Sequence, residues 1–481
     1  MVFSSLLFLY AFLPLLLGLY YLVPPRHRNL VALAGSLFFY GWGEPVFVGL
    51  LVGISLYGYY ISLWLARLPA AATLARRGVL TLGLAGYLGL LLYFKYSNFF
   101  VEQLNGVLGW LQQGGIVWTH VVLPLGISFF TFQKISYLVD VYRGTSPPAR
   151  SIVDYLLFVA LFPQLIAGPI IRYHDVAAQI IARDHNVDKF LSGVWRFLLG
   201  LARKVLIANP LGAVADTVFG QDLGTLPMPY AWVGILCYAF QIYFDFAGYS
   251  DMAIGLGRML GFEFIENFER PYTARSITEF WRRWHISLSN FMRDYLYIPL
   301  GGNRGGRFRT AFNLWFVFLV SGFWHGASWN FVCWGAYHGT LLSLERALGL
   351  KRLARLPGTV AVGLTFLLVL ASWVLFRAPT LTDAVTYFGR LCAWSSWADV
   401  TANPELLWPD VINHRTWAAL VVAAVVSFLP ERWWVRLGWD LALPPSRFQA
   451  WARVGLGAAF LLLASGALAN QSYNPFIYFR F

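Results

Sequence analysis

A chain of 481 residues that is 58% hydrophobic and 12% charged, with a mean hydropathy of +0.59, is too apolar for an ordinary soluble domain. Its net charge of +13 would suit a nucleic-acid binder, but no basic stripe accompanies a nucleic-acid motif, and membrane orientation accounts for the excess of arginine. The three cysteines, Cys237, Cys333 and Cys392, are scattered, which excludes a CxxC metal or disulfide framework.

A membrane-crossing helix needs about 20 mostly apolar residues. In chain order, apolar segments approaching that length lie near residues 3–23, 29–42, 45–65, 78–94, 121–139, 152–171, 191–208, 230–247, 311–330, 332–348, 358–376, 416–429 and 453–470. Several are short or carry charge, which predicts roughly 9 to 12 true spans and leaves the others re-entrant or interfacial. The first segment, in MVFSSLLFLYAFLPLLLGLYYLVPPRHRN, has its basic residues after the apolar run, so a retained helix is expected rather than a cleaved signal. Arg26 and Arg28 follow this segment, and Arg67, Arg76 and Arg77 follow the third. Held on the cytoplasmic side, both groups put the N-terminus outside.

The polar breaks at 142–151, 174–189, 219–229 and 298–310 contain Gly and Pro and are expected as loops. Residues 270–309 hold eight Arg against Glu279 and Asp294, whereas 378–413 hold Asp383, Asp399, Glu405 and Asp410 against Arg390. The first block is expected in the cytoplasm and the second outside. There is no fixed-period repeat and no extramembrane segment long enough for a second domain. The expectation is a single all-α, polytopic membrane domain over 1–481.

Within this apolar chain, FWRRWHISLSNFMRDYLYIPLGGNRGG (280–306) gathers arginines around His285. At about 100° per residue, Phe280, Trp284, Leu288, Phe291 and Tyr295 form one stripe, while Arg282, Ser289, Asn290 and Arg293 take the opposite arc. This pattern predicts one amphipathic helix with His285 at the border of its two faces. An interfacial helix whose arginines meet lipid phosphates has the same pattern. GGNRGG lacks the GxxxxGK[ST] and strand-GxGxxG contexts of phosphate-binding loops.

His325, in FWHGAS, follows a long apolar run and precedes Trp329, Phe331 and Trp334, which predicts burial at membrane depth. An ionisable group there marks a functional pathway by default, although a neutral histidine bonded to a carbonyl fits the same burial. Gly326 beside it permits close approach of a helix or substrate. His338 lies 13 residues further on, roughly 220° around a continuous helix, so the two cannot form an HExxH-like pair. No metal site is expected, and His338 reads as packing or supporting hydrogen bonding. A buried histidine without a metal suits acyl transfer from a thioester to a hydroxyl, because its ordinary pKa lets it take the hydroxyl proton near pH 7. No GxSxG or HExxH motif points to a hydrolase of those types.

FWRRWHISLSNFMRDYLYIPLGGNRGG, FWHG and GAYHG resemble the membrane-bound O-acyltransferases, and within them the bacterial alginate O-acetylation type. FKYSNFF (94–100), LPLGISFFTFQKISYLVDVYRG (123–144), FPQLIAGPI (162–170), QIYFDFAGYSDMAIGLG (241–257) and the ending NPFIYFRF extend the resemblance over nearly the whole chain. It implies a ring of transmembrane helices around a central funnel in the bacterial inner membrane. It also implies His325 as the catalytic histidine, with His285 as its partner across the funnel. Trp324, Trp284, Arg282, Arg283 and Asp245 are candidates for the substrate or donor path, with Tyr249 and Asp251 as equal alternatives to Asp245. No bound cofactor is implied. Acetyl-CoA or another thioester on the cytoplasmic side would be the donor, and periplasmic acetyltransferases of the polysaccharide machinery and membrane lipids the partners. Similar proteins modify peptidoglycan, cellulose or teichoic acids, and a transporter or a non-enzymatic export subunit would also carry buried polar groups and broken helices.

Overall fold

The computed structural model describes residues 1–349, 355–396, 413–429, 446–470 and 473, and among these every regular element is a helix. Among the described residues, six helices are long and apolar enough to cross a membrane: Pro45–Arg67, Thr73–Trp110, Val187–Phe219, Met228–Met259, Gly358–Arg377 and Phe448–Asn470. The contrast in burial within these apolar windows assigns their surroundings. Only 11% of the Phe448–Asn470 window is buried, against 83% for Met228–Met259, so lipid solvates the first and other helices the second. The protein is therefore an all-α polytopic membrane protein.

Three further apolar segments fall short of a full span for local reasons. The segments near 29–42 and 121–139 fold as Arg28–Gly43 and Ile127–Arg143, of 16 and 17 residues, about 24 and 26 Å long and short of a hydrocarbon core of about 30 Å. The segment near 152–171 is broken. Its helix stops at Ala160 and a separate turn, Phe162–Leu165, starts with Pro163 in its first positions, because a proline ring cannot continue the preceding helix. Ser36 Oγ then accepts from the freed Phe162 N–H at 3.1 Å. The expected loop at 174–189 is partly helical, at Tyr173–Ile181, where the Asp175 carboxylate accepts from the Arg172 backbone N–H at 3.2 Å and from its guanidinium at 2.9 Å. Asp399, Glu405 and Asp410 of the predicted outer block, and the NPFIYFRF ending, lie outside the described residues.

Backbone contacts divide the chain into two compact units, Met1–Leu191 with Leu256–Ile265, and Ser192–Gly255 with Glu266–Phe481. In the first, Phe3, Phe8, Phe12, Phe39 and Phe162 form an aromatic core. Arg183 fastens this unit's polar edge. Its guanidinium donates to the Tyr20 hydroxyl at 2.7 Å, Asn29 Oδ1 at 2.7 Å and the Leu260 carbonyl at 3.0 Å.

The second unit holds both histidines of interest. Four of its helices matter here: α1 (Val187–Ala202, of which residues from 192 belong to this unit), α2 (Met228–Met259, up to 255), α3 (Gly306–His325) and α4 (Trp329–Leu348). A Cβ on Gly200 would lie 2.5 Å from the Gly248 carbonyl, and one on Gly255 would lie 2.6 Å from that of Gly193. Glycines seven apart on each helix thus bring the α1 and α2 backbones into contact. The α3–α4 hairpin uses the same device, since a Cβ on Gly322 would collide with the Phe331 carbonyl and one on Gly335 with the Phe318 carbonyl.

Candidate active site

His325 is the last residue of α3, where Gly326 takes an extended conformation and ends the helix. The tight hairpin brings α4 back beside it, so its ring meets Trp334 edge-on at 5.1 Å between centroids. Phe376 approaches at 5.1 Å and the neighbouring Trp324 at 4.9 Å. The side chain is buried, as expected from sequence, with a relative exposure of 6%. Three aromatic walls make a low-dielectric surround that excludes bulk water.

His285 is placed by a break in the chain. The predicted amphipathic helix over 280–295 is two helices, Ile277–Arg283 and Ile286–Met292, with Trp284 extended and His285 in the left-handed region at φ 46°, ψ 53°. Asn267 captures the turn. Its backbone carbonyl accepts from Ile286 N–H at 3.0 Å, and its Oδ1 accepts from Ser287 N–H at 3.2 Å. These bonds satisfy donors at the start of the second helix and rotate His285 inward. It is 1% exposed, not at the border of a wet face. Phe246 stands edge-on to its ring at 4.7 Å, and Trp324 lies 6.4 Å away. Trp324 thus packs against both His285 and His325. The His285 ring lies outside the six candidate spans, and burial pushes its pKa down to about 3, which keeps it neutral at pH 7.

His338 extends the same aromatic series, with its ring 4.9 Å from Trp334 and 5.0 Å from Trp281. Trp281 Nε1–H donates to its Nδ1 at 3.2 Å. An indole N–H can only donate, so His338 carries its proton on Nε2.

The other predicted residues have different surroundings. Trp284 packs among Phe268, Phe280 and Trp373. Arg282 is exposed. Arg283 donates to Glu279 at 2.6 Å and Thr273 Oγ1 at 2.9 Å and lines an open cavity of about 1050 Å³ with Arg270 and Arg275. Asp245 pairs with Lys204 at 2.7 Å, and Asp251 pairs with Arg196 at 2.6 Å and with Arg203. Lys204, Asp245, Arg196 and Asp251 are all buried.

Sequence reasoning missed the basic partners, although a signal was present. Arg203 and Lys204 follow Arg196 by 7 and 8 residues in an apolar helix, which returns them to its side of the helix. Asn267 was also missed, and nothing local announced it.

The chain belongs to the MBOAT, membrane-bound O-acyltransferase family, whose model matches residues 149–363. This protein is a membrane O-acyltransferase. It is 45% identical to the probable alginate O-acetylase AlgI of Pseudomonas putida over 100% of both chains. It is 39% identical to the peptidoglycan O-acetyltransferase of Helicobacter pylori over 80% of this chain and 78% of that one. Similarity to the teichoic acid D-alanyltransferase of Streptococcus thermophilus is 29% identity over 52% of this chain and 68% of that one.

Proposed function

We propose that this O-acyltransferase takes an acetyl group from a cytoplasmic thioester, acetyl-CoA, and passes it across the bacterial inner membrane to a periplasmic acetyltransferase that esterifies exported alginate. The observation that carries the chemistry is the packing of His285 and His325 against one buried tryptophan, Trp324. In this reading His325 takes the proton of an acceptor hydroxyl as its oxygen attacks the thioester carbonyl. The carbon–sulfur bond then breaks and the departing thiolate takes that proton. The aromatic walls keep out water that would hydrolyse the thioester. Arg282, Arg283, Arg304 and Arg307 attract the donor's phosphates to the cytoplasmic side. Alginate is favoured over other glycans because the full-length relative bears that name, whereas the peptidoglycan enzyme is similar over less of the chain.

The acceptor is tested in an alginate-secreting strain deleted for its own acetylase and supplied with this gene. Alkali-released acetate should appear on secreted alginate, with muramic acid acetylation unchanged. Acetate on peptidoglycan alone would replace alginate with that polymer.

A further inference from the structure

The hydrogen bonds around Asn267 carry information about protons as well as position. A backbone N–H can only donate, so the Ser287 N–H at 3.2 Å identifies the facing Asn267 atom as the amide oxygen. The Ser287 hydroxyl donates to that oxygen at 2.9 Å, and the amide nitrogen donates to Ser250 Oγ at 3.0 Å. The amide orientation is therefore set by its surroundings. The same oxygen lies 3.1 Å from His285 Nδ1. An oxygen already accepting can engage that nitrogen only if the nitrogen bears a proton. The other ring nitrogen, Nε2, is buried and makes no hydrogen bond among the described residues.

We propose that Asn267 is a positioning residue that locks His285 as its Nδ1–H tautomer, leaving Nε2 as a bare acceptor for the hydroxyl or imidazole proton handled in acyl transfer. This rests on the reading of His285 as part of the transfer site. The assignment uses three features at once: the left-handed turn at His285, the buried amide and the unfilled acceptor. It also sets His285 against His338, whose Nδ1 accepts from Trp281 and whose proton is therefore on Nε2. The nearest charged group along the chain from Ser250 is Asp251, already paired with Arg196 and Arg203. The Ser287 hydroxyl also lies 3.4 Å from His285 Nδ1, but its proton goes to the Asn267 oxygen, which is the closer partner of that nitrogen and selects the tautomer.

Nitrogen-15 solid-state NMR of histidine-labelled full-length protein in lipid tests the lock, with His285→Asn identifying the ring's signals by difference. Asparagine tolerates left-handed backbone, so that reference variant keeps the turn. The wild-type His285 signals should be those of the Nδ1–H tautomer. Asn267→Leu should lose that pattern, and acetyl transfer should fall about 10- to 100-fold, the range for groups that hold a functional histidine ring in place. Asn267→Leu also leaves Ser287 N–H without its acceptor, so Asn267→Asp provides a second arm that keeps an accepting oxygen. Asp should preserve the tautomer and, as an anion beside the ring, favour imidazolium. The acid limb of its transfer rate should therefore move to higher pH. An Nε2–H signal in the wild type, or an unchanged Nδ1–H signal in folded Asn267→Leu, would overturn the proposal. A tautomer that follows Asn267 while His285→Asn transfers acetyl normally would leave the lock intact and remove His285 from the reaction.

Discussion

Acetyl transfer should fall by a factor of about 10² to 10⁴ when His325 is replaced by alanine, the usual contribution of a positioned general base. The fold should survive. His325 ends its helix against Trp334, Phe376 and Trp324, and removing a buried polar group leaves at most its partner unsatisfied, at a cost of about 1 to 3 kcal/mol. Membrane level and acetyl ester on secreted polymer, measured together, separate chemistry from folding. A normally abundant His325→Ala protein with near-normal transfer would return His325 to a packing role. His285→Ala should lose transfer too, because its buried ring packs on the same Trp324.

A second large effect is expected at Lys204, where the readout is stability. Lys204 and Asp245 pair at 2.7 Å between the candidate spans Val187–Phe219 and Met228–Met259, where both side chains are buried. Lys204→Met leaves the Asp245 carboxylate without its cation, and breaking a buried pair from one side costs about 3 to 5 kcal/mol. Thermal unfolding in detergent should move sharply down for Lys204→Met. Lys204→Met combined with Asp245→Leu should recover much of the loss, because no uncompensated charge remains. Equal melting of the single and double variants would mean that the pair is not what holds these helices.

The sequence revealed some parts of this structure more readily than others, for physical reasons. The burial of His325 was legible, because an apolar run before it and aromatics after it leave no wet face. His285 was misplaced because a helical wheel assumes a continuous helix, and neither glycine nor proline marks the break. The turn is imposed by Asn267, 18 residues upstream, so no local pattern encodes it. Asp245 stood out as a carboxylate in an apolar stretch, but its partner was hidden until α1 and α2 were brought together on Gly200 and Gly248. Arg283 was legible as a cation but not as one already held by Glu279 and Thr273. Residue type and hydropathy carried the class and the depth of the groups. Partners set by long-range packing had to come from the structure.

The most direct test of histidine-dependent transfer from a cytoplasmic thioester uses purified protein in sealed liposomes, with radiolabelled acetyl-CoA on one side and the periplasmic acetyltransferase on the other. Coenzyme A thiol release and label on the periplasmic protein are followed together. The account predicts that wild type releases thiol and transfers label in equal amounts, and that His325→Ala does neither while remaining folded. Label crossing without thiol release, or a folded His325→Ala protein matching wild type, would contradict it.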